Sequence, residues 1–341
     1  MPITPQNLQV VNKASTGDTI MTPQLKTDGG YLQPYQAKQF IEQAWDQATL
    51  LSKVRHEQHR EKSGTMTKIG VGSRLSRKKT ENVDDGVLAG IHTSTIEYQT
   101  VAMRMDWDVT NETLRENIQG QSLAALITSM MSKQLANDME DLALNGDEDI
   151  STSDPSHDFL YVNNGWVKQI RENGNVTDAS GMSGYLVDVV DQASDSIKDK
   201  YHNSQALSWI MTPQMARVWR RHLRDWAITQ GGIVDPDLYN KPAGIPIIET
   251  VFMPDDTVLL TAPQNLIVVS TYSVNILEDS TSVLAIRQDK RFYVTHYDID
   301  MIVEEFEATG IITGIDPSKF KVFTKSSPAS ETTSTPENEA A

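Results

Sequence analysis

The longest regular pattern of apolar positions runs from Gln121 to Gly146, where Leu123, Leu126, Ile127, Met130, Met131, Leu135, Met139 and Leu142 recur in steps of three and four. That spacing gathers them on one stripe of a helix and leaves the opposite face polar. Asn145-Gly146 predicts a left-handed stop, and Thr113 with Glu116 predicts a capping box for a short lead-in helix. At ~1.5 Å per residue, about 24 helical residues span roughly 36 Å, about twice an average helix. Such a rod is long enough to act as a spine.

Upstream, Ala37, Phe40, Ile41, Ala44, Trp45, Ala48 and Leu51 form another helical stripe, which fades into the charged run Arg55-His56-Glu57-Gln58-His59-Arg60. Met66 to Val71 is a strand candidate, and the glycine-punctuated polar stretch from Gly72 to Gly90 cannot build a core. The chain then returns with Val101, Met103, Met105, Trp107 and Val109 alternating with Ala102, Arg104, Asp106 and Asp108, a strand with one apolar face. Together these segments predict a long hairpin with a loose, charged tip, and a loop of that length is disordered or functional.

Beyond the spine, Asn163-Asn164-Gly165 and Asn173-Gly174-Asn175 predict turns joining short strands over 159–184. A helix is expected from Gly184 to Tyr201 on the stripe Leu186, Val189, Val190, Ala193 and Ile197, then a strand over Leu207 to Met211. Thr212 as cap and Pro213 at the first helical position open a helix that buries Met215, Val218, Trp219, Leu223 and Trp226 and exposes Arg217, Arg220, Arg221 and Arg224. Strands are expected at 245–252, 257–260, 266–277 and 282–286. A further strand is expected within 287–315, with Tyr293, Thr295, Tyr297, Ile299, Met301 and Val303 on one face.

Composition narrows the class. At 341 residues the chain is long enough to split into more than one packed unit. Residues 1–34 are poor in large apolar side chains and predict an extended arm, and the tail after Phe323 predicts disorder. Cys is absent, which excludes disulfides, Cys-held metals and thiol nucleophiles. No apolar run approaches the ~20 residues of a membrane span and the first residues lack a signal-peptide core, so a soluble product of the cytosol is expected. A net charge of -16 has the wrong sign for a protein whose whole surface grips nucleic acid.

Motifs that carry chemistry are few in this chain. The phosphate loop GxxxxGK[ST] and the GxSxG elbow are absent, and Gly70-Val71-Gly72 lacks a third glycine. His56 and His59 lie three apart on an expected helix, but no third ligand completes a metal set. Asp147, Asp149, Ser151 and Asp158 mimic a calcium loop, yet position six is Thr152 and position twelve is Asp158, so a solvated acidic turn is the better account. No cofactor is implied. One pair of signals stands apart: the basic tip Arg74, Arg77, Lys78 and Lys79, and the segment from Asp138 to Asp158, which holds eight carboxylates and no Lys or Arg. Opposite patches on one chain suit a self-complementary oligomer, and two unrelated solvated loops are the alternative.

The order arm, helix, charged hairpin, spine ending in Asn145-Gly146-Asp147, separate α/β unit and return strand resembles the major capsid proteins of tailed bacteriophages, the Hong Kong 97 phage type. The segments VAMRMDWDVTNETLREN, LANDMEDLALNGD, ALSWIMTPQMARVWRRHL, GIPIIETVFMPDDTVLLTAPQNLIV and RFYVTHYDIDMIVEEFEATG are similar to that family's successive motifs. The resemblance implies an α+β capsid fold with an N-terminal arm at 1–34, a peripheral-domain helix within 35–65 and an extended loop at 66–100. It continues as a peripheral domain with the spine at 101–184, an axial domain at 185–286, a return strand within 287–324 and a disordered tail at 325–341.

The implied function is structural, not enzymatic: hexamers and pentamers of one chain closing an icosahedral virion shell, assembled in the host cytoplasm around double-stranded DNA. A separate scaffolding protein, a portal and a decoration protein are the implied partners. Arg74, Arg77, Lys78 and Lys79 are then expected to reach Asp147, Glu148 and Asp149 on an adjacent copy, with hairpin and arm buried on neighbours rather than on their own body. An encapsulin-type compartment with the same fold, and a soluble α/β enzyme, are the rival readings.

Overall fold

The computed structural model describes residues 48–71, 91–111, 122–204, 206–229, 236–271 and 275–320. The expected arm at 1–34, the stripe from Ala37 to Trp45, the hairpin tip, the Thr113–Glu116 capping pair and the tail at 325–341 lie outside the described residues.

The described strands form three sheets. The first is built around β11 (Lys290–Val303). Ile299 of β11 is in register with Val101 on one edge and Ser270 on the other. So β4 (Val101–Thr110) runs antiparallel along one side, while β9 (Leu266–Thr271) and β10 (Asn275–Asp279) share the opposite side. A parallel partner, β1 (Arg55–His59), closes the far edge on β9. The period of two in β4 is realised: its Met103, Met105 and Trp107 pack on the core while Arg104, Asp106 and Asp108 face water, and Trp107 stacks on its cross-strand partner Tyr293 at 5.4 Å.

The second sheet has the order β5 (Asn175–Asp178), β12 (Gly310–Thr313), β8 (Val258–Thr261), β6 (Ser208–Met211), β7 (Ile247–Glu249). It separates two cores, which is why its central strands read as unbroken apolar runs. Ile210, Leu259 and Ile311 face the core shared with the spine; Trp209, Met211, Val258, Leu260 and Ile312 face a second core. The third sheet is the hairpin of β2 (Ser63–Val71) and β3 (Ile91–Gln99).

The spine α1 (Ser122–Asn145) has 24 residues. Its second half buries Leu135, Ala136, Met139, Leu142, Ala143 and Leu144, whereas Met130, expected on the same stripe, is 57% exposed. The buried Glu140 of α1 accepts hydrogen bonds from the Leu50 amide at 3.1 Å and from the Thr250 hydroxyl, fastening the segment before β1 and the one after β7 to the rod. The helix does not end in a left-handed residue, since Gly146 has no positive φ. Glycine is needed there for close approach: a Cβ would stand 2.3 Å from the Asn163 carbonyl oxygen, and the Gly165 amide donates to the Gly146 carbonyl at 2.8 Å.

The remaining helices are α2 (His157–Leu160), α3 (Trp166–Asn173), α4 (Leu186–Asp195), α5 (Asp199–Ser204), α6 (Pro213–Thr229) and α7 (Val283–Gln288). Of these, α4 and α6 cover the second core, and Thr212 caps α6 as expected by accepting from the Met215 amide at 3.0 Å.

Several expectations are corrected. The charged run from Arg55 is the edge strand β1 rather than a helix end, so His56 and His59 are not on a helix, and the helix expected within 35–65 does not continue through it. The strand returning from the hairpin tip is β3, not β4, which pairs with β11. The turn-rich stretch 159–184 contains α3, whose buried Trp166, Val167 and Ile170 were masked by Asn-Gly signals on both sides. Gly184 to Tyr201 divides into α4 and α5. The apolar run at 283–286 is helical because Ser282 Oγ caps the Ala285 amide and Asp289 closes the end at φ 50°. Sequence boundaries also fail to separate the sheets: β9 and β10 fall within 185–286 yet belong to the spine's sheet, and β5 and β12 belong to the other.

Candidate functional site: the hairpin seat and the acidic loop

The alternation of β2 and β3 divides the hairpin base into two faces. Gly64 opposes Tyr98 and Met66 opposes Ile96; these look inward. Tyr98 is 6% exposed and packs with Ile267, Val269 and Ile302 on the side of the first sheet away from the spine, with Met66 and Ile96 against the same cluster. Its ring stacks on His59 at 4.6 Å. Glycine at 64 makes room, because a Cβ there would lie 2.7 Å from the Tyr98 hydroxyl oxygen. On the outward face Thr65, Thr67, Thr93, Thr95 and Glu97 are exposed.

Polar clamps flank this apolar seat. Lys62 Nζ lies 3.2 Å from Asp298 Oδ1, and the Gln99 amide donates to Asp300 Oδ2 at 2.8 Å. Burial pushes the Asp300 carboxyl above its ordinary pKa, a push only partly opposed by the Gln99, Met301 and Asn163 donors. Farther along β2, Lys68 pairs with Glu305 and lies 3.9 Å from Glu304, which also holds Arg55 at 2.6 Å. For Glu305, burial raises the pKa, but the hydrogen bonds from Lys68 and from Tyr201 outweigh it and leave the carboxyl below its usual range. The base of the hairpin is therefore seated on its own body, contrary to the expectation that it is buried on neighbours.

The acidic residues Asp147, Glu148 and Asp149 are brought into one loop after α1. Lys168 of α3 reaches back into it and donates to Asp147 Oδ1 and Asp149 Oδ2, both at 2.5 Å. Asp147 is held below the ordinary carboxylate pKa, chiefly by that bond. Burial alone would lower the Lys168 pKa, yet the two carboxylates raise it. Glu148 is tied to Asn164, whose Nδ2 donates to Glu148 Oε2 at 3.0 Å and whose Oδ1 accepts from the Glu148 amide at 3.1 Å. The segment without a basic residue thus acquires one from about 20 positions downstream, and an ammonium sits between the carboxylates that mimic a calcium loop. The expected counterparts Arg74, Arg77, Lys78 and Lys79 lie outside the described residues.

No group of three or more potential metal ligands occurs among the described residues. No helix among them is long and apolar enough to cross a membrane. A cleft of about 580 Å³ opens between the two large sheets, lined in part by Lys53, Arg55, Ile248, Pro263 and Glu304. Its Arg55 and Glu304 are engaged with each other, and the histidines nearby are structural: His56 Nε2 lies 2.7 Å from the Leu51 carbonyl and His59 stacks on Tyr98.

Comparison with known proteins gives a consistent picture. No protein-family model matches the chain. YqbE of Bacillus subtilis (strain 168), described as a prophage capsid protein, is 25% identical over 327 residues, covering 91% of this chain and 99% of the relative. A chain of the satellite phage P4 procapsid superposes with a TM-score of 0.61 at 18% identity, covering 84% of this chain and 99% of that one. One from Gordonia phage Cozz gives 0.55 at 12% identity, over 78% and 86% of the two chains. The SrpI encapsulin of Synechococcus elongatus PCC 7942 gives 0.51 at 10% identity, over 92% and 98%.

Proposed function

We infer that this chain, which has the Hong Kong 97 phage-type capsid fold, is the major capsid protein of a tailed double-stranded DNA bacteriophage. The observation that carries the reading is similarity to a prophage capsid protein along almost the whole of both chains, on a fold that covers 99% of a procapsid chain. The role is structural. Identical copies meet through repeated contacts and close a shell, with small changes of angle distinguishing hexamers from pentamers. A net charge of -16 suits a container for DNA, since a wall that bound phosphate tightly would hinder packing.

A separate scaffolding protein, a portal and a decoration protein are the partners this reading calls for, with assembly in the host cytoplasm. At the hairpin tip, Arg74, Arg77, Lys78 and Lys79 supply charge for an adjacent copy. Glu148 and the 85%-exposed Asp149 remain reachable despite their own partners. Exposed pairs of this kind contribute about 0–1 kcal/mol each, so only their multiplicity matters.

Electron microscopy and sedimentation of the purified chain test the reading: rings or closed shells are expected, and a chain that stays monomeric at high concentration, with no assembly of either kind, refutes it. The encapsulin fold shares the architecture, so particle contents discriminate, DNA and a portal against an enzyme cargo. Arg77→Glu with Lys78→Glu and Lys79→Glu is expected to block assembly of a folded subunit; normal shells from that variant would remove the tip from the contact.

A further inference from the structure

Phe320 fixes where the tail departs from the body. It is 3% exposed in the second core, its ring lies edge-on to His222 of α6 at 6.3 Å, and its backbone bridges to Gly184, just before α4. Beside it, Lys319 Nζ donates to the Ser180 carbonyl at 2.9 Å. The chain therefore passes beyond 320 where α4 and α6 pack against each other.

Those two helices turn opposite charge to solvent. On α6, Arg217, Arg221 and Arg224 stand at i, i+4 and i+7 and are exposed, while the helix's one carboxylate, Asp225, is buried. Arg224 touches Asp225 at 3.2 Å; Arg217 and Arg221 form no ion pair among the described residues. Like charges at these spacings weaken a helix unless something answers them. On α4, Asp188, Asp191 and Asp195 are exposed, and burial together with the charges of Asp195 and Asp188 pushes the Asp191 carboxyl above its ordinary pKa.

The tail carries the sign that α6 lacks. After Lys325 it holds Glu331, Glu337 and Glu339 and no Lys or Arg. Repulsion from the α4 aspartates and attraction to the α6 arginines direct these carboxylates to the same place. Reach is ample: the stretch from Phe320 to Glu331 spans up to roughly 36–40 Å, against about 10–12 Å for the width of a helix with its side chains. Spacing agrees as well, since residues two apart in an extended strand, as Glu337 and Glu339 are in sequence, lie ~6.6–6.8 Å apart on one side, and residues four apart on a helix, as Arg217 and Arg221 are, ~6 Å apart along its axis.

We propose that the acidic stretch 331–339 lies on the arginine face of its own α6 and covers that face against polyanions. A nucleic acid or a second copy could meet the same arginines, but the tail is tethered beside them and acts at a high effective concentration. Exposed pairs are individually weak, so the cover is held by the tether and comes off with salt. The contact is made within one chain, so it holds or fails whether or not the chain forms shells.

Because the chain has no Cys, two introduced thiols report on each other alone. Asn338→Cys is combined with Ile228→Cys, exposed four residues past Arg224 on the same face of α6, or with Gln192→Cys, exposed on α4. Disulfide closure by oxidised glutathione is timed on non-reducing gels. At ~0.01 M salt the Ile228 pair is expected to close at least about tenfold faster than the Gln192 pair, and at ~1 M salt the two rates are expected to converge. Glu331→Gln, Glu337→Gln and Glu339→Gln together, or Arg217→Gln with Arg221→Gln, are expected to bring the same convergence at low salt with the melting temperature unchanged. The glutamate changes leave every described residue as it is, so the result does not depend on the α6 variant folding. A chain ending at Lys325 is expected to hold a duplex DNA probe at least about threefold more tightly than the full chain. Equal closure of the two pairs at low salt, rates indifferent to the glutamate changes, cross-linked dimers in place of closed monomers, or an unchanged duplex affinity overturns the proposal.

Discussion

Replacing Tyr98 with alanine removes a large buried side chain that, among the described residues, anchors the base of the hairpin to the body. A buried aromatic covers ~150–250 Å² and, at ~25 cal/mol per Å², accounts for roughly 4–6 kcal/mol as an upper bound; truncating one costs about 3–5 kcal/mol. The neighbouring ion pairs are weaker. Lys62 is 65% exposed, so its pair with Asp298 belongs at the low end of the ~0–1 kcal/mol typical of surface pairs. Lys68 and Glu305 are 30% and 29% exposed and contribute about 1 kcal/mol. The apolar seat therefore dominates, and Tyr98→Ala is expected to lower the free energy of local hairpin opening by about 3 kcal/mol, roughly a hundredfold in the opening equilibrium. Amide hydrogen exchange across 63–71 and 91–99 reads that change directly, with the β8 amides as an internal reference. Lys68→Ala should accelerate the same amides less than about tenfold, and raising salt should matter little. Exchange in Tyr98→Ala within about threefold of the wild type, or a larger effect from Lys68→Ala, refutes the ranking.

Gly64→Val places a branched side chain against the Tyr98 ring and is expected to open the same hairpin amides, with the rest of the fold intact by exchange. Glu140→Leu removes the acceptor of both the Leu50 amide and the Thr250 hydroxyl; a loss of about 1–3 kcal/mol in urea unfolding is expected, and none would deny the carboxylate its fastening role. Gly146→Ala forces its Cβ onto backbone atoms of 163 and 142 and is expected to cost about 2–3 kcal/mol in the same assay. Asp147 has a folded pKa below its unfolded one, so its contribution is present above the ordinary carboxylate value and is lost as pH falls through the depressed one. NMR titration should show that depressed value return toward ordinary in Lys168→Met; an unchanged midpoint would dissociate the lysine from the shift.

Elements with a long, single-period pattern were legible in the sequence: α6 with its Thr212 cap, β4 and the second half of α1 follow their spacing, whereas Met130 leaves the expected stripe of α1. Pairing was not. The alternation of β4 specifies a half-buried strand but not whether its edge meets β2 or β11, a choice made by residues about 190 positions away. Short apolar clusters fit either period, so α7 read as strand and α3 as turns until Ser282 and the buried Trp166 settled them. In the acidic loop the missing information was a single long-range return, Lys168, which only the packing of α3 on α1 supplies. The strand β3 was overlooked because Thr, Ser and Glu dominate it, leaving Ile96 and Tyr98 too few to announce a buried face.

The seating of Tyr98 also decides what kind of surface the hairpin base turns to the world. With its greasy side spent on the first sheet, the base shows threonine hydroxyls at 65, 67, 93 and 95 and one carboxylate at 97. Adhesion there is a matter of hydrogen bonds swapped with water, nearly balanced and quickly undone. A molecule touching that side can slide, let go and try again, because parting strands no oily skin in solvent.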